Sequence, residues 1–418
     1  MTCIKCKMIL TIFILTLPAN AQYFHANYSS SRSTALGGVF AAGFNDASAT
    51  ILNPAVLPKV ERSQIMFDSN VSQSEISLYP DNSYSDIESE ANPTLAPYIG
   101  FVWNMNSRLA GFGASISTSD RYHMKFNSGG MQRYQLKELD FNAISFDVAI
   151  GYIPVRDLSI GVRLGYRIGL SEISFYRNPF GNEPSSPREF DINWKYKFED
   201  FSGFNSVLGL IWSPSYRFDI GLTYQPPLAY HYSTSLTVNL PEILGENEFR
   251  RSVEDLRITV PQEACMGLHW IATERIDFYF DIAWSQFSQM DPMELKVDKP
   301  VFPQIPESFE IPIDFNDCWH VHTGLEIITS ELITLRFGTF YMSDFIDNQN
   351  ESLILAGGSR TGITAGLGMN ISRIKIDLSS GYTIMRKHQI TGANLPISLQ
   401  GDLESNQKFI QLGISWLL

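Results

Sequence analysis

Residues 158–171 read LSIGVRLGYRIGLS. Leu158, Ile160, Val162, Leu164, Tyr166, Ile168 and Leu170 alternate without a break against Ser159, Gly161, Arg163, Gly165, Arg167 and Gly169. A period of two puts one set on each face of a strand. Strands of soluble sheets run to roughly five or six residues, whereas a tilted strand needs about nine to eleven to cross a bilayer. The run therefore predicts a strand whose apolar face meets lipid and whose small and charged face meets a polar lumen.

The pattern recurs along the chain. Ile276, Phe278, Phe280, Ile282 and Trp284 alternate with Asp277, Tyr279, Asp281, Ala283 and Ser285. Ile363, Ala365, Leu367 and Met369 do so against Gly366, Gly368 and Asn370, and Ile374, Ile376 and Leu378 against Lys375, Asp377 and Ser379. The runs end at short polar connections of the kind that close hairpins, at residues 104–108, 154–157, 213–217, 273–275, 329–331 and 372–373. Longer polar connections lie between them, near 73–94, 119–139, 176–190, 231–258, 291–315, 345–359 and 388–406. Short turns at one end and long loops at the other are the asymmetry of an outer-membrane barrel with its loops outside the cell. Six hairpins give about twelve strands, and 62–72 and 408–418 raise the count to about fourteen, an even number that returns both chain ends to the periplasmic side. The predicted fold class is all-β, a transmembrane antiparallel β-barrel.

Composition and targeting agree with that class. Lys5 and Lys7 precede an apolar stretch from Met8 to Leu17, and Ala19, Asn20 and Ala21 supply the small residues of a cleavage site. Residues 1–21 are thus predicted to be a signal peptide cut before Gln22. No later segment reaches the roughly twenty apolar residues of a spanning helix, which leaves a closed barrel as the route into a membrane. The predicted location is the outer membrane of a Gram-negative bacterium. A formal charge of −13 argues against nucleic acid as a partner. Aromatic residues near strand ends, such as Trp103, Tyr152, Trp212, Trp270, Tyr341 and Trp416, suit interfacial girdles. Of four cysteines, Cys3 and Cys6 leave with the signal. Cys265 and Cys318 begin strands separated by a third, an unfavourable geometry for a disulfide.

One segment breaks the strand pattern. Residues 31–60 read SRSTALGGVFAAGFNDASATILNPAVLPKV, rich in small and apolar residues, with Gly37, Gly38, Gly43 and Pro54 ruling out one long helix. An exported apolar segment needs burial, and the barrel lumen is the available volume, so residues 22–61 are read as a plug and 62–418 as the barrel. Arg32, Ala35, Leu36, Gly37 and Gly38, then Asp46, Ser48 and Ala49, then Asn53, Pro54 and Ala55 resemble the N-terminal hatch of the FadL-type outer-membrane transporters for long-chain fatty acids and other hydrophobic compounds. Tracts beginning at Pro214, Val260 and Asp317 resemble that family's repeated strand-turn-strand pattern. The chain departs from it at Asn45, where a second acid is usual, at Val56 in place of glycine, and at its final Leu418 in place of phenylalanine.

The resemblance implies a monomer of fourteen strands, delivered by the barrel assembly machinery and set in outer-membrane lipid. It implies a hatch comprising Arg32, Leu36, Gly37, Gly38, Phe40, Asp46, Asn53, Pro54 and Ala55. It also implies passive uptake of hydrophobic molecules, most of all long-chain fatty acids, through a pocket above the hatch and a gap in the wall at the third strand. The matching stretch is 109–115, where Gly111 and Gly113 permit a kink. For a fatty-acid carboxylate, Arg163, Arg167 and Arg336 are candidate partners, with Lys375 on a similar inward face, because a guanidinium binds a carboxylate through two parallel hydrogen bonds. Arg163 and Arg167 are favoured, since no acid alternates with them on their own strand. His269, His320, His322, Cys265 and Cys318 carry ligand atoms, but strand register scatters them, so neither metal nor cofactor is expected. No spacing of nucleophile and base points to an enzyme. The alternatives are uptake of aromatic hydrocarbons, a barrel component of type IX protein secretion, and a surface-binding barrel working through its long loops.

Overall fold

The computed structural model describes residues 30–81, 85–105, 109–182, 185–291, 293–296, 308–311, 314–354, 356–391 and 399–418. The predicted signal peptide lies outside them. Fourteen antiparallel strands form the wall: β1 (Gln64–Pro80), β2 (Pro93–Asn104), β3 (Ala110–Lys125), β4 (Glu138–Val155), β5 (Leu158–Arg177), β6 (Ile192–Ser215), β7 (Phe218–Gln225 and Leu228–Asn239), β8 (Glu248–Val260 and Glu263–Thr273), β9 (Ile276–Ser285), β10 (Cys318–Ile328), β11 (Ile333–Met342), β12 (Arg360–Ile371), β13 (Ile374–Ile390) and β14 (Gly401–Leu417). β7 is interrupted by Pro226 and Pro227, and β8 by Pro261, residues that bring no N–H to a ladder. β1 pairs with β14 from Gln64↔Leu417 to Pro80↔Gly401, which closes the sheet and satisfies backbone groups that lipid cannot. The predicted short turns all join neighbouring strands at one end of this barrel.

The strands run further than the apolar pattern implies. β6 has 24 residues and β5 has 20, and much of the predicted 231–258 loop is the hairpin of β7 and β8. The reason is a reversal of face polarity along each strand. In the lower part of β1, Phe67 and Val71 face out while Asp68, Asn70 and Ser72 are buried inside; higher up, Ile76 and Leu78 are the buried residues. β5 changes from Arg163 and Arg167 inside to Ile173 and Phe175, and β4 from Asp147 and Ser145 to Phe141 and Leu139. On the outside of the upper wall, Glu172 pairs with Lys195 and Arg121 with Asp140, and Lys125 with Glu90 at 3.0 Å. Such cross-strand ion pairs belong in water, so these upper extensions stand above the bilayer.

Residues 30–60 lie inside the lower barrel. They form the short helix α1 (Ser31–Ala35) and two 3-10 turns, Ala47–Thr50 and Pro54–Lys59. Each start is capped by the residue before it: Ser30 accepts from Ser33 N, Asp46 from Ser48 N and Asn53 from Ala55 N. Gly37, Gly38 and Gly43 have φ of 79°, 80° and 84°, left-handed values that end α1 and turn the chain across the lumen.

The wall glycines explain how this segment is seated. A Cβ at Gly221 would collide with the Ala41 carbonyl, at Gly338 with Gly37 N, at Gly111 with the Leu57 carbonyl, and at Gly161 with Pro54. The small side of the strands, read from sequence as facing a polar lumen, is the surface on which hatch backbone lies. Gly221→Val should therefore leave the barrel intact, seen as unchanged heat-modifiable migration, while displacing the hatch. Liposome swelling with small sugars should rise; an unchanged swelling rate would show that the hatch does not depend on this seat.

Candidate functional site

All nine predicted hatch residues are within the barrel. Asn53 both caps the turn at Pro54 and donates to the Ala41 carbonyl at 2.6 Å, tying two limbs of the hatch together. Ser159 donates to the Ala55 carbonyl at 2.5 Å. Phe40 N and Ala41 N donate to Asp281 at 2.6 and 2.9 Å, and Ser31 N to Asp68 at 2.8 Å. Leu36 packs against Gly324, and Phe40 sits edge-on to His322, with ring centroids 6.2 Å apart.

A buried ionic chain locks the hatch to the wall. Arg32 donates through Nε and Nη2 to the two oxygens of Glu326, both at 3.1 Å, and its Nη1 to Asn45 at 3.0 Å. Asp46 lies 3.9 Å from the same guanidinium. Glu326 also accepts from Arg336 Nε at 2.5 Å, and Arg336 Nη1 donates to Asp377 at 2.5 Å. Two arginines and two carboxylates thus alternate from hatch to wall, a bidentate arrangement with strong geometric preference.

This accounts for two of the three arginines expected to hold a carboxylate ligand. Arg336 is engaged by Glu326 and Asp377. Arg163 donates to the Ile51 carbonyl at 2.7 Å and lies 3.5 Å from Asp147 of β4; its partners are the hatch and the neighbouring strand. Arg167 is buried on the same face of β5. Register supplies these acids: Glu326 stands directly opposite Arg336 across the β10–β11 hairpin, a pairing legible from the turn, and Asp147 reaches Arg163 from the strand alongside. Lys375 lies half-buried on β13.

The histidines and cysteines serve the same wall. The Nδ1 of His322 is 2.7 Å from the Gly37 carbonyl. His320 Nε2 is 3.3 Å from the Ser285 hydroxyl, and His269 stacks on Tyr279 and faces Asp219 and Asp277. Among the described residues no three His, Cys, Asp or Glu side chains gather as metal ligands. Cys265 and Cys318 are buried free thiols on strands separated by β9.

Above the hatch the lumen is apolar. Inward side chains of the upper strands form one cluster, among them Leu78, Phe141, Phe175, Phe198, Tyr232 and Leu403, joined by Phe287, Phe315 and Phe345 from the long connections. Phe175, Tyr196 and Phe198 stack in series, with centroids 6.0 and 6.1 Å apart. The 3-10 turn Met131–Tyr134 adds an outer lid: Arg133 and Tyr134 both bind Asp191, at 2.8 and 3.0 Å. Burial and then the bond to Asp191 raise the Tyr134 hydroxyl above its ordinary pKa. The sequence reading expects a pocket above the hatch but not these residues: Leu78, Tyr232 and Leu403 fall in stretches it assigns to loops, and Phe141, Phe175 and Phe198 lie beyond the alternating runs that it follows.

Among the described residues, ladder pairing breaks off beside this chamber between β2 and β3 and between β6 and β7. β2 and β3 pair from Asn104↔Gly111 up to Tyr98↔Ser117 and no higher. Above that, contact resumes only at the Ser89↔Phe126 bridge, where Glu90 N donates to the Lys125 carbonyl at 2.7 Å. β3 also shifts register against β4 between Thr118 and Asp120. Gly111 and Gly113 lie below this break and are paired on both sides; what lies against them is the hatch, at Leu57 and Thr50. The second interruption separates β6 from β7. Pairing stops at Leu208↔Tyr224 and resumes at Ser233↔Glu199. There Asp200 accepts from His231 N at 3.1 Å, and Phe201 and Phe204 stand exposed outside.

Over residues 12–415 the sequence matches the family described as outer membrane protein transport protein (OMPP1/FadL/TodX). The fold is similar to that of a Pseudomonas aeruginosa FadL homologue, 14% identical with a TM-score of 0.79, covering 94% of this chain and 97% of that one. It is also similar to the P. putida toluene transporter TodX (14%, TM-score 0.73, 94% and 99% covered). The Ralstonia pickettii toluene transporter TbuX is a further likeness (15%, TM-score 0.68, 94% and 100% covered). No curated protein sequence matches the chain.

Proposed function

The chain belongs to the outer membrane protein transport family (OMPP1/FadL/TodX), and on that premise we propose that it takes up long-chain fatty acids passively as a monomer. It is an outer-membrane β-barrel channel for hydrophobic compounds and not an enzyme. The observation that carries the proposal is the reversal of lumen polarity. A barrel built to pass polar solutes has no reason to line its outer half with Phe141, Phe175, Phe198 and Leu403 or to fill its inner half with a hatch. An alkyl tail gains roughly 0.8 kcal/mol per CH₂ removed from water, so such a chamber draws it from the medium. With the hatch held by Asp281, Asp68 and Glu326, the exit is sideways, through the β2–β3 interruption into the outer leaflet.

Aromatic hydrocarbons are the second reading, favoured by the stacked rings of Phe175, Tyr196 and Phe198 and by the two solved relatives described as toluene transporters. Membership of a transport family favours uptake over secretion docking or surface binding. Protein extracted from outer membranes in a short-chain detergent and incubated with equal oleate and toluene should retain oleate, seen by native mass spectrometry. Retention of toluene alone would move the assignment to the second reading, and retention of neither would refute both.

A further inference from the structure

The connection between β11 and β12 turns back into the chamber. Phe345, Ile346, Leu353, Ile354 and Ala356 are each 2% exposed or less and belong to the same apolar cluster as Phe141, Phe175 and Leu403. Phe345 stacks on Phe287, with ring centroids 4.8 Å apart. Backbone bonds tie the segment down: Phe345 N donates to the Gly357 carbonyl at 3.1 Å, Asn316 N to the Phe345 carbonyl at 2.9 Å, and Thr391 N to the Asn348 carbonyl at 3.0 Å. An extracellular connection that buries five apolar side chains roofs the chamber, so cargo arriving from the medium has to displace it.

The same segment buries a carboxylate. Glu351 Oε1 accepts from Gly357 N at 2.6 Å, and Oε2 lies 2.5 Å from His388 Nε2 on β13. His388 Nδ1 in turn lies 2.9 Å from the Arg386 carbonyl. Both ring nitrogens thus face acceptors, and only the doubly protonated imidazolium can donate to both. A bulge aims the ring. β13 shifts register against β14 between Met385 and His388, so that His388 stands opposite Leu403, a buried chamber residue, while Arg386 and Lys387 are both exposed. Strict alternation from Met385 would have put Lys387 inside and His388 outside. Gly358 lies directly against the ring, in a space that a Cβ would fill. The other charges nearby leave the pair to itself: Lys387 binds Asp402 at 3.1 Å, and Arg360 of β12 donates to the Ala356 carbonyl at 2.8 Å. The hydrogen bond to Glu351 raises the His388 pKa above its ordinary value and outweighs burial, which lowers it; the charges of Glu351 and of exposed Asp344 add to the rise.

We propose that residues 345–354, with Ala356 and Gly357, form a pH-sensitive roof: the His388–Glu351 pair latches it over the chamber, and loss of the His388 proton releases it to admit cargo. Deprotonation leaves the buried Glu351 carboxylate without its counter-charge, which is unfavourable. The histidine value is higher in the latched state than the ordinary one of about 6.5. The latch therefore contributes fully below about 6.5 and is lost as pH rises through the raised value. This rests on the uptake reading and adds a control of entry to it.

The test is hydrogen exchange of the whole barrel in a non-ionic detergent, at about pH 6 and about pH 9, corrected for the intrinsic pH dependence of exchange. In wild type, protection of peptides from residues 345–354 should fall about tenfold between the two, as for loss of one charge-assisted hydrogen bond, while the strands stay protected. His388→Gln should show the lower protection at both pH values, and His388→Arg, which keeps its charge, the higher. Oleate uptake by cells should then be equal in wild type and His388→Arg at the lower pH and faster in wild type at the higher, a ratio in which titration of the cargo itself cancels. Wild-type protection that does not change with pH, or a fall that persists in His388→Gln, would overturn the latch while leaving uptake standing. Protection that behaves as expected in a barrel that admits oleate at neither pH would overturn the uptake reading instead.

Discussion

Replacing Glu326 with leucine is expected to make the outer membrane leak small polar solutes, with the barrel itself still folded. Glu326 joins Arg32 of the hatch to Arg336 of the wall, accepting from both guanidinium groups. Removing one partner of a buried ion pair costs about 3–5 kcal/mol, because the remaining charge is left uncompensated. Arg336 keeps Asp377; Arg32 keeps Asn45 and the Tyr279 hydroxyl, both at 3.0 Å, but the nearest carboxylate left to it is Asp46, at 3.9 Å. The cost therefore falls on the hatch. About 3 kcal/mol multiplies the displaced-hatch population roughly a hundredfold. Susceptibility to a large hydrophilic antibiotic and single-channel conductance in planar bilayers both report it. Wild-type impermeability in the Glu326→Leu protein would mean that the backbone bonds to Asp281 and Asp68 suffice to hold the plug.

Closing the β2–β3 interruption should stop uptake without emptying the chamber. Pro97 and Thr118 flank its lower edge, one step above the last pair, Tyr98↔Ser117. Cysteines at these two positions, bridged by a short bismaleimide, should lower fatty-acid uptake about tenfold or more, as for a gate locked shut. Binding measured in detergent should be unaltered. The native thiols do not confuse the result, since Cys265 and Cys318 are both buried. The same bridge across the β6–β7 interruption, between Ser206 and Pro226, should leave uptake intact. If that second bridge blocks uptake and the first does not, the exit lies beside Asp200.

The strands were legible in the sequence because lipid imposes a strict alternation wherever a strand crosses it. Leu158 to Leu170 show this alternation without a miss, and every predicted short turn joins two wall strands. The hatch was legible for the complementary reason: its apolar and glycine-rich segment has no period of two. What escaped was whatever depends on a second strand. The upper strands read as loops because above the bilayer their outward residues turn polar, as at Glu75 and Ser77 of β1, while Ile76 is the side chain pointing in. Arg163 looked free because its acid, Asp147, sits on β4. Gly111 and Gly113 looked like a flexible kink, yet each lies against the hatch.

The central claim is that hydrophobic molecules cross the outer membrane through the chamber above the hatch. Cells expressing this chain, in a host lacking its own fatty-acid channel, should take up labelled oleate well above the empty-vector rate, and a label-free sugar of similar mass should not enter faster. Oleate uptake no faster than the empty vector, from a barrel shown to be folded and inserted, would contradict the account.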